Sequence, residues 1–446
     1  MNKKITRGQF IGSSLGLTVL SSTQLFGSSI KKLMEPSLEA FSRDDQMKAS
    51  YDQALNILKP TKSQLEHGLE LHKNSLIFDT YGFQPTAAVD GAAISNAILE
   101  NASQLEIQDL SEEMRMTRYV SVEKERIEFE NAWLASGVTC VFQNSGEEGN
   151  AIERLLKRLA RFTYSTDMMN DFISKAVTPQ DIIKAKSENK RVLYFSGNGV
   201  PLPQDWVTVQ EELRFLRIFY QLGIRMMHLT YNRRNMIGDG CGEPSNAGLS
   251  DFGRSVVHEM NNIGIIVDIS HSGWQTSLEA AKISNQPVVA SHSCSASINK
   301  VIRSKPDEVI KALADSGGYI GICCIPRFLG GSGDINALLR HIDYIVKKFG
   351  ADYVTIGTDY GHSSKYNFEE NKIISDRVKR APARTRWEAL WPEEGPFTTK
   401  PEMQTSLAWT NWPLFTVGLV QMGYSDNDIQ KILGLNAIRV AKKVLE

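Results

Sequence analysis

The chain has no surplus of either charge. Its 446 residues carry 50 Lys and Arg against 51 Asp and Glu, a net charge of -1, so no overall basic field is present to hold nucleic acid. Cysteine is scarce. Cys140, Cys241, Cys294, Cys323 and Cys324 make an odd count of five with no C-x-x-C pair, which argues against a disulfide scaffold and a cysteine zinc site. Long apolar runs are missing too. Beyond the first thirty residues nothing approaches the roughly eighteen uninterrupted apolar residues of a membrane span. What remains, 41% hydrophobic and 23% charged, is ordinary globular composition and excludes a disordered or collagen-like chain.

Residues 1–30 have their own character. Lys3, Lys4 and Arg7 precede an apolar stretch from Phe10 to about Leu20, followed by small polar residues. This is the pattern of an export signal, too short to span a bilayer as a mature helix. TRGQFIG looks like a twin-arginine signal with Gly8 in place of the second arginine, so the twin-arginine and general secretory routes both stay open. The expected location is periplasmic or otherwise outside the cytoplasm. An amphipathic N-terminal helix on a soluble protein is the plainer alternative. Residues 31–70 read as a helical segment leading into the main domain, residues 71–446.

From about residue 70 one pattern repeats: a short apolar run, then a helical stretch. The runs are Ser75–Thr80, Gly137–Gln143, Arg191–Ser196, Ile224–Thr230, Gly264–Ser270, Pro287–Ser291, Gly318–Cys324 and Tyr353–Thr358. Several lack alternation, as expected of parallel strands buried on both faces. Between them, residues 153–165, 211–223 and 250–264 space apolar residues by three and four, and Ser250 and Gly264 read as the N-cap and C-terminal glycine of the last. Eight strands alternating with helices predict an α/β fold, a (β/α)₈ TIM barrel. The alternative is an open doubly wound sheet, which would want a glycine-rich phosphate loop after the first run; none is there. Residues 380–405 interrupt the pattern and read as a long loop insertion on the active face.

In such barrels the chemistry sits at the C-terminal ends of the strands. The residues found there include Asp79, Asn198, Tyr231, Asn232, His271, His292, Cys324 and Asp359. Two histidines after consecutive strands would stand side by side as ligands for a zinc-like ion. Asp359, after the last run, would close the ring as a ligand and take a proton from a bound water. The plainer reading makes each histidine a structural residue. His228, inside its run, is expected to face the helical shell, opposite Leu229 and Tyr231. His258 and His341 fall in helices, His67 and His72 precede the barrel, and His362 could overhang the site. In the loop YNRRNMIGDGCGEP, either Arg233, Arg234 and Asp239 line the mouth, or Arg233 and Asp239 pair to shape the loop. Cys241 lacks a neighbouring base and makes a poor nucleophile.

Several motifs occur in one order: LRIFYQLGIRMMHLTYN, AGLSDFGRSVVHEMNNIGIIVDISHSG, PVVASHS, RSKPDEVIKALADSGG, VTIGTDYG and GLNAIRV. Together they resemble the membrane (renal) dipeptidase family of metallopeptidases, over roughly residues 70–446. The resemblance implies a barrel of the metal-dependent amidohydrolase type, with a two-zinc centre that cleaves dipeptides. It places His271 and His292 as metal ligands, Asp359 as the catalytic aspartate and Arg303 as the partner of a substrate carboxylate. Tyr231 stands where the family carries a substrate-binding histidine; with Asn232 and Asn198 it would complete the substrate contacts.

The chain also departs from the family. The His-x-Asp ligand pair of the first strand falls on Tyr81 and Phe83, and the bridging glutamate falls near Ser196. One ion such as zinc, held by His271, His292 and Asp359, is therefore the expectation, with two as the alternative. Asp79, Cys324, Glu147 and His362 are conceivable substitute ligands. The reading is an exported dipeptidase-like metallohydrolase. An amidohydrolase for a non-peptide amide or lactone, or an inactive barrel that only binds, are the alternatives. The partner is a small dipeptide-like substrate, with a homodimer compatible with the family, and neither nucleic acid nor a membrane span after signal removal.

Overall fold

The computed structural model of the protein describes residues 44–146, 152–378, 392 and 394–446. The export signal, residues 31–43, Glu147 and much of the insertion at 380–405 lie outside the described residues.

Ten strands form one parallel system: β1 (Phe78–Gly82), β2 (Cys140–Asn144), β3 (Ile173–Ala176), β4 (Arg191–Gly197), β5 (Ile224–His228), β6 (Ile266–Asp268), β7 (Val288–Ser295), β8 (Ser304–Lys305), β9 (Tyr319–Ile322) and β10 (Val354–Ile356). Eight of them run side by side in the order β1-β2-β4-β5-β6-β7-β9-β10. Asp359 N–H donates to Tyr81 O at 2.9 Å and Phe83 N–H to Tyr360 O at 3.0 Å, which brings the last strand's exit back to the first. The result is a nearly closed eight-stranded barrel wrapped by helices. Each barrel strand coincides with one of the eight apolar runs. β3 and β8 were not anticipated. Four and two residues long and partly polar, they lie off the barrel path, on β4 and β7.

Two-sided burial explains the unbroken apolar runs. Phe142, Val192, Tyr194, Met226, Ile266 and Val289 pack inside the barrel, while their neighbours Val141, Leu193, Met227, Val267 and Val288 join the layer between strands and helices. The C-terminal helix Asn436–Leu445 adds Ile438, Val440 and Val444 to the interior cluster. Its Arg439 donates to Asp352 O at 2.7 Å, ahead of β10, so the helix stoppers the end of the barrel opposite the strand exits. The helix Asp251–Ile263 has the caps expected: Ser250 Oγ accepts from Gly253 N, and Gly264 takes φ 89°. Helices Asp45–Leu58 and Lys62–Asn74 precede β1.

One close approach narrows the interior. The Ser291 carbonyl accepts from Thr80 Oγ1 at 2.9 Å across the barrel. A Cβ on Gly357 would stand 1.9 Å from that oxygen, and one on Gly321 2.0 Å. Gly357→Ala is therefore expected to destabilise the fold by roughly 3 kcal/mol, at the upper end for overpacking a core. Chemical denaturation checks this; a loss under about 1 kcal/mol would mean the barrel yields there.

Candidate metal centre at the strand exits

β5 and β6 are in register with His228 opposite Asp268, so both final residues point to the same side. That side is the barrel interior, because Met226, two residues earlier, belongs to the interior cluster. His228 thus faces inward, contrary to the expectation that it meets the helices. The parity argument assumed that the strand continues to Tyr231, but it ends at His228. His271 follows β6 by three residues and His292 lies within β7.

All three histidines are buried and their rings meet. One ring nitrogen from each of His228, His271 and His292 lies within 4.8 Å of the others. His271 Nε2 and His292 Nε2 are 3.0 Å apart. The other nitrogens of these two rings are already engaged. Asn232 Oδ1 accepts from His271 Nδ1–H at 2.6 Å and from the Cys241 thiol at 3.1 Å. Ser291 Oγ gives its only proton to Asp268 Oδ2, so it accepts from His292 Nδ1–H at 2.8 Å. Both Nε2 atoms then carry lone pairs that face each other. Two acceptors at that distance repel unless a cation or proton sits between them. Burial, then the positive charge of Arg303, holds both rings well below the usual imidazole range. They are neutral at pH 7, the form that binds a metal.

Asp268 organises the floor. Its carboxylate accepts from Ser270 N at 2.9 Å, Ser270 Oγ at 2.7 Å, Ser291 N at 3.1 Å and Ser291 Oγ. Two buried cations stand behind it. Arg303 donates to Ser270 O and, at 3.3 Å, to His292 O. Lys305 Nζ donates to Ser272 O at 2.6 Å, and burial pushes its ammonium down to about 7. Together they brace the segment that carries His271. Sequence reasoning missed His228, Asp268 and Lys305; the one local signal was the run Asp268-Ile-Ser-His271, whose carboxylate precedes the ligand histidine by three residues.

Asp359, half-buried after β10, is not a member of the three-histidine group. Burial raises its carboxyl to about 6, against the opposing charge of Arg303. The Tyr231 ring stacks on His271 at 4.2 Å. Asn232 spends its carbonyl on His271, a positioning task rather than a substrate contact. Asn198, at the exit of β4, has a buried Oδ1 without a hydrogen-bond partner.

The half of a two-ion centre that the resemblance assigns to the first strand does not fit these residues. The Tyr81 ring lies flat on His292, with centroids 3.8 Å apart and planes at 10°. Burial drives its phenol well above the usual range, so it stays protonated. Phe83 offers no donor atom, and Ser196 Oγ bonds to Gln143 O at 3.2 Å. Of the described substitute ligands, Asp79 and His362 are occupied elsewhere. Asp79 ties β1 to β10 through Thr358 N at 2.9 Å and Thr358 Oγ1 at 2.6 Å, and takes Trp409 Nε1–H at 3.0 Å. His362 Nε2 meets Glu128 Oε1 at 2.9 Å instead of overhanging the centre. Cys324 is fully buried and outside the group. In the loop after β5, Asp239 pairs with Arg234 at 2.5 Å and accepts from Ala247 N at 2.7 Å, which shapes the loop.

The family model for membrane dipeptidase, peptidase family M19, matches residues 66–376. Dipeptidase verJ of Clonostachys rogersoniana is 29% identical over 234 residues, 52% of this chain and 51% of that protein. Dipeptidase tcpJ of Claviceps purpurea (strain 20.1) is 27% identical over 234 residues, 51% of this chain and 47% of that protein. The matches thus span about half the length of these curated relatives. Among solved structures, an amidohydrolase from Pseudomonas aeruginosa superposes with a TM-score of 0.59 at 23% identity, over 84% of this chain and 98% of its own. The probable dipeptidase PvdM from Pseudomonas aeruginosa gives 0.59 at 18% identity, over 86% and 98%. At those identities the two structures establish the barrel fold.

Proposed function

The chain belongs to the membrane dipeptidase family, peptidase family M19, and from that premise we propose that it hydrolyses a dipeptide or similarly small amide at the three-histidine end of the barrel. The observation that carries this reading is the 3.0 Å approach of two imidazole lone pairs, His271 Nε2 and His292 Nε2, which suits a divalent cation of the zinc type. When bound, such an ion supplies an activated water and polarises the scissile carbonyl.

The chain's own residues supply the rest. Asp359 takes a proton at its carboxylate and returns it to the leaving amine. Asn232 and Ser291 hold the two imidazoles in the tautomer that leaves Nε2 available. Tyr231 walls the site beside His271. Arg303, buried under the strand exits, provides positive charge that favours a substrate carboxylate. Asn198 offers an acceptor for a substrate N–H. Asn198→Ala is expected to raise KM for a dipeptide roughly fivefold with kcat nearly unchanged, the loss of one hydrogen bond of about 1 kcal/mol. A steady-state comparison of the two constants decides it; an unaltered KM would remove Asn198 from substrate contact.

The experiment that tests the function is elemental mass spectrometry on untagged protein, followed by a dipeptide panel that varies side chains and stereochemistry. Bound zinc-like ion with turnover supports the reading. Bound ion without turnover on any dipeptide, amide or lactone favours a barrel that binds without hydrolysing. Tyr81, Phe83 and Ser196, standing where the family carries ligands, are the observation behind that second reading. Export is proposed on residues 1–30 alone, and cell fractionation tests it. Among the described residues no helix is long and apolar enough to cross a membrane.

A further inference from the structure

We propose that His228 is the third protein ligand of a single-ion site, formed with His271 and His292, that takes one divalent transition metal in place of a two-ion centre. The inference rests on the metal-dependent reading above and deepens it.

Three observations carry it. First, His228 is wholly buried, and its Nδ1 has no hydrogen-bond partner. Its Nε2 lies 2.8 Å from Asp268 Oδ2. A buried imidazole nitrogen left without a partner is unfavourable unless something binds it. Second, the ring is in the right place. Its centroid is 5.2 Å from those of His271 and His292, with planes at 78° to each. Zinc–nitrogen bonds of roughly 2.0–2.1 Å in a tetrahedron separate ligand atoms by about 3.3 Å. The 4.8 Å envelope of the three nitrogens needs only small side-chain shifts to reach that. Third, Asp268 beside His228 supplies the carboxylate that commonly orients a ligand histidine.

Room for a second ion is taken. The Tyr81 ring covers His292 face-on and meets His228 edge-on at 5.1 Å. Three nitrogen ligands with one open position make a usual catalytic zinc site. Asp359, outside the group, is then left to proton transfer rather than ligation.

The test uses the untagged full chain, stripped with chelator and titrated with Zn²⁺ and with Co²⁺, whose visible absorption reports tetrahedral coordination. The expected result is one ion per chain. His228→Gln should weaken binding by at least about 100-fold and shift the Co²⁺ bands. Wild-type affinity and an unchanged Co²⁺ spectrum in a folded His228→Gln variant would overturn the assignment. Two ions per chain would overturn the single-ion inference and leave the metal-dependent reading standing, whereas no binding by the wild type would overturn both. Should the variant fail to fold, X-ray absorption on the zinc-loaded wild type decides: three imidazoles support His228, two exclude it.

Discussion

Asp359→Asn is expected to lower kcat for dipeptide hydrolysis by about 10²–10⁴-fold, the usual worth of a positioned general base. The substitution is otherwise mild. Asp359 sits at φ 55°, a left-handed conformation that asparagine tolerates as readily as aspartate. Its backbone N–H, bonded to Tyr81 O at 2.9 Å, is untouched. The unfolding temperature should therefore stay within a degree or two. Burial brings the carboxyl up to about 6, close to a neutral working pH, where a base is most effective. The sign follows. The carboxylate is the active form, so kcat should hold above about pH 6 and fall below it, and the variant should lose that acid limb. Wild-type turnover in Asp359→Asn would eliminate the base role.

Asp268→Ala is expected to cost about 3–5 kcal/mol of stability. The carboxylate is buried and satisfies two backbone N–H groups and two hydroxyls, of Ser270 and Ser291. Alanine would leave four buried donors without an acceptor and the Arg303 charge with less to balance it. It would also free Ser291 from holding His292, so metal affinity should fall together with stability. Although burial opposes ionisation, the contact with His228 and the hydrogen bonds hold Asp268 well below the usual carboxylate range. A carboxyl lowered on folding contributes stability above its unfolded value and loses it as pH falls. This contribution should thus be complete at neutral pH and shrink below about pH 4. Urea unfolding of wild type and variant at pH 7 and at pH 4 measures both effects. A difference under about 1 kcal/mol at pH 7 would show that water replaces the carboxylate.

Much of the barrel was legible because two-sided burial writes itself into composition. Val-, Ile- and Tyr-rich stretches such as RVLYFS can be strands only where both faces are covered, and β4 is buried throughout. β3 and β8 were not legible. Ile173–Ala176 and Ser304–Lys305 are held by pairing to β4 and β7, an interaction between segments that local sequence does not record. His271 and His292 were legible as polar residues closing apolar runs. His228 was misplaced, because the side a strand residue faces depends on where the strand ends, and one residue reverses it.

Composition, periodicity and the order of its motifs determined, from sequence alone, the repeated strand–helix unit, the family resemblance and two of the three clustered histidines. Each is a local or ordered property of the chain. Tertiary structure alone decided that His228 turns inward beside Asp268, that the Tyr81 ring stacks on His292, and that Asp79 and His362 are occupied elsewhere. Those outcomes depend on strand register and on which distant groups meet. Asp79 is held by Thr358 and Trp409, and His362 by Glu128, partners more than 200 residues away in the chain.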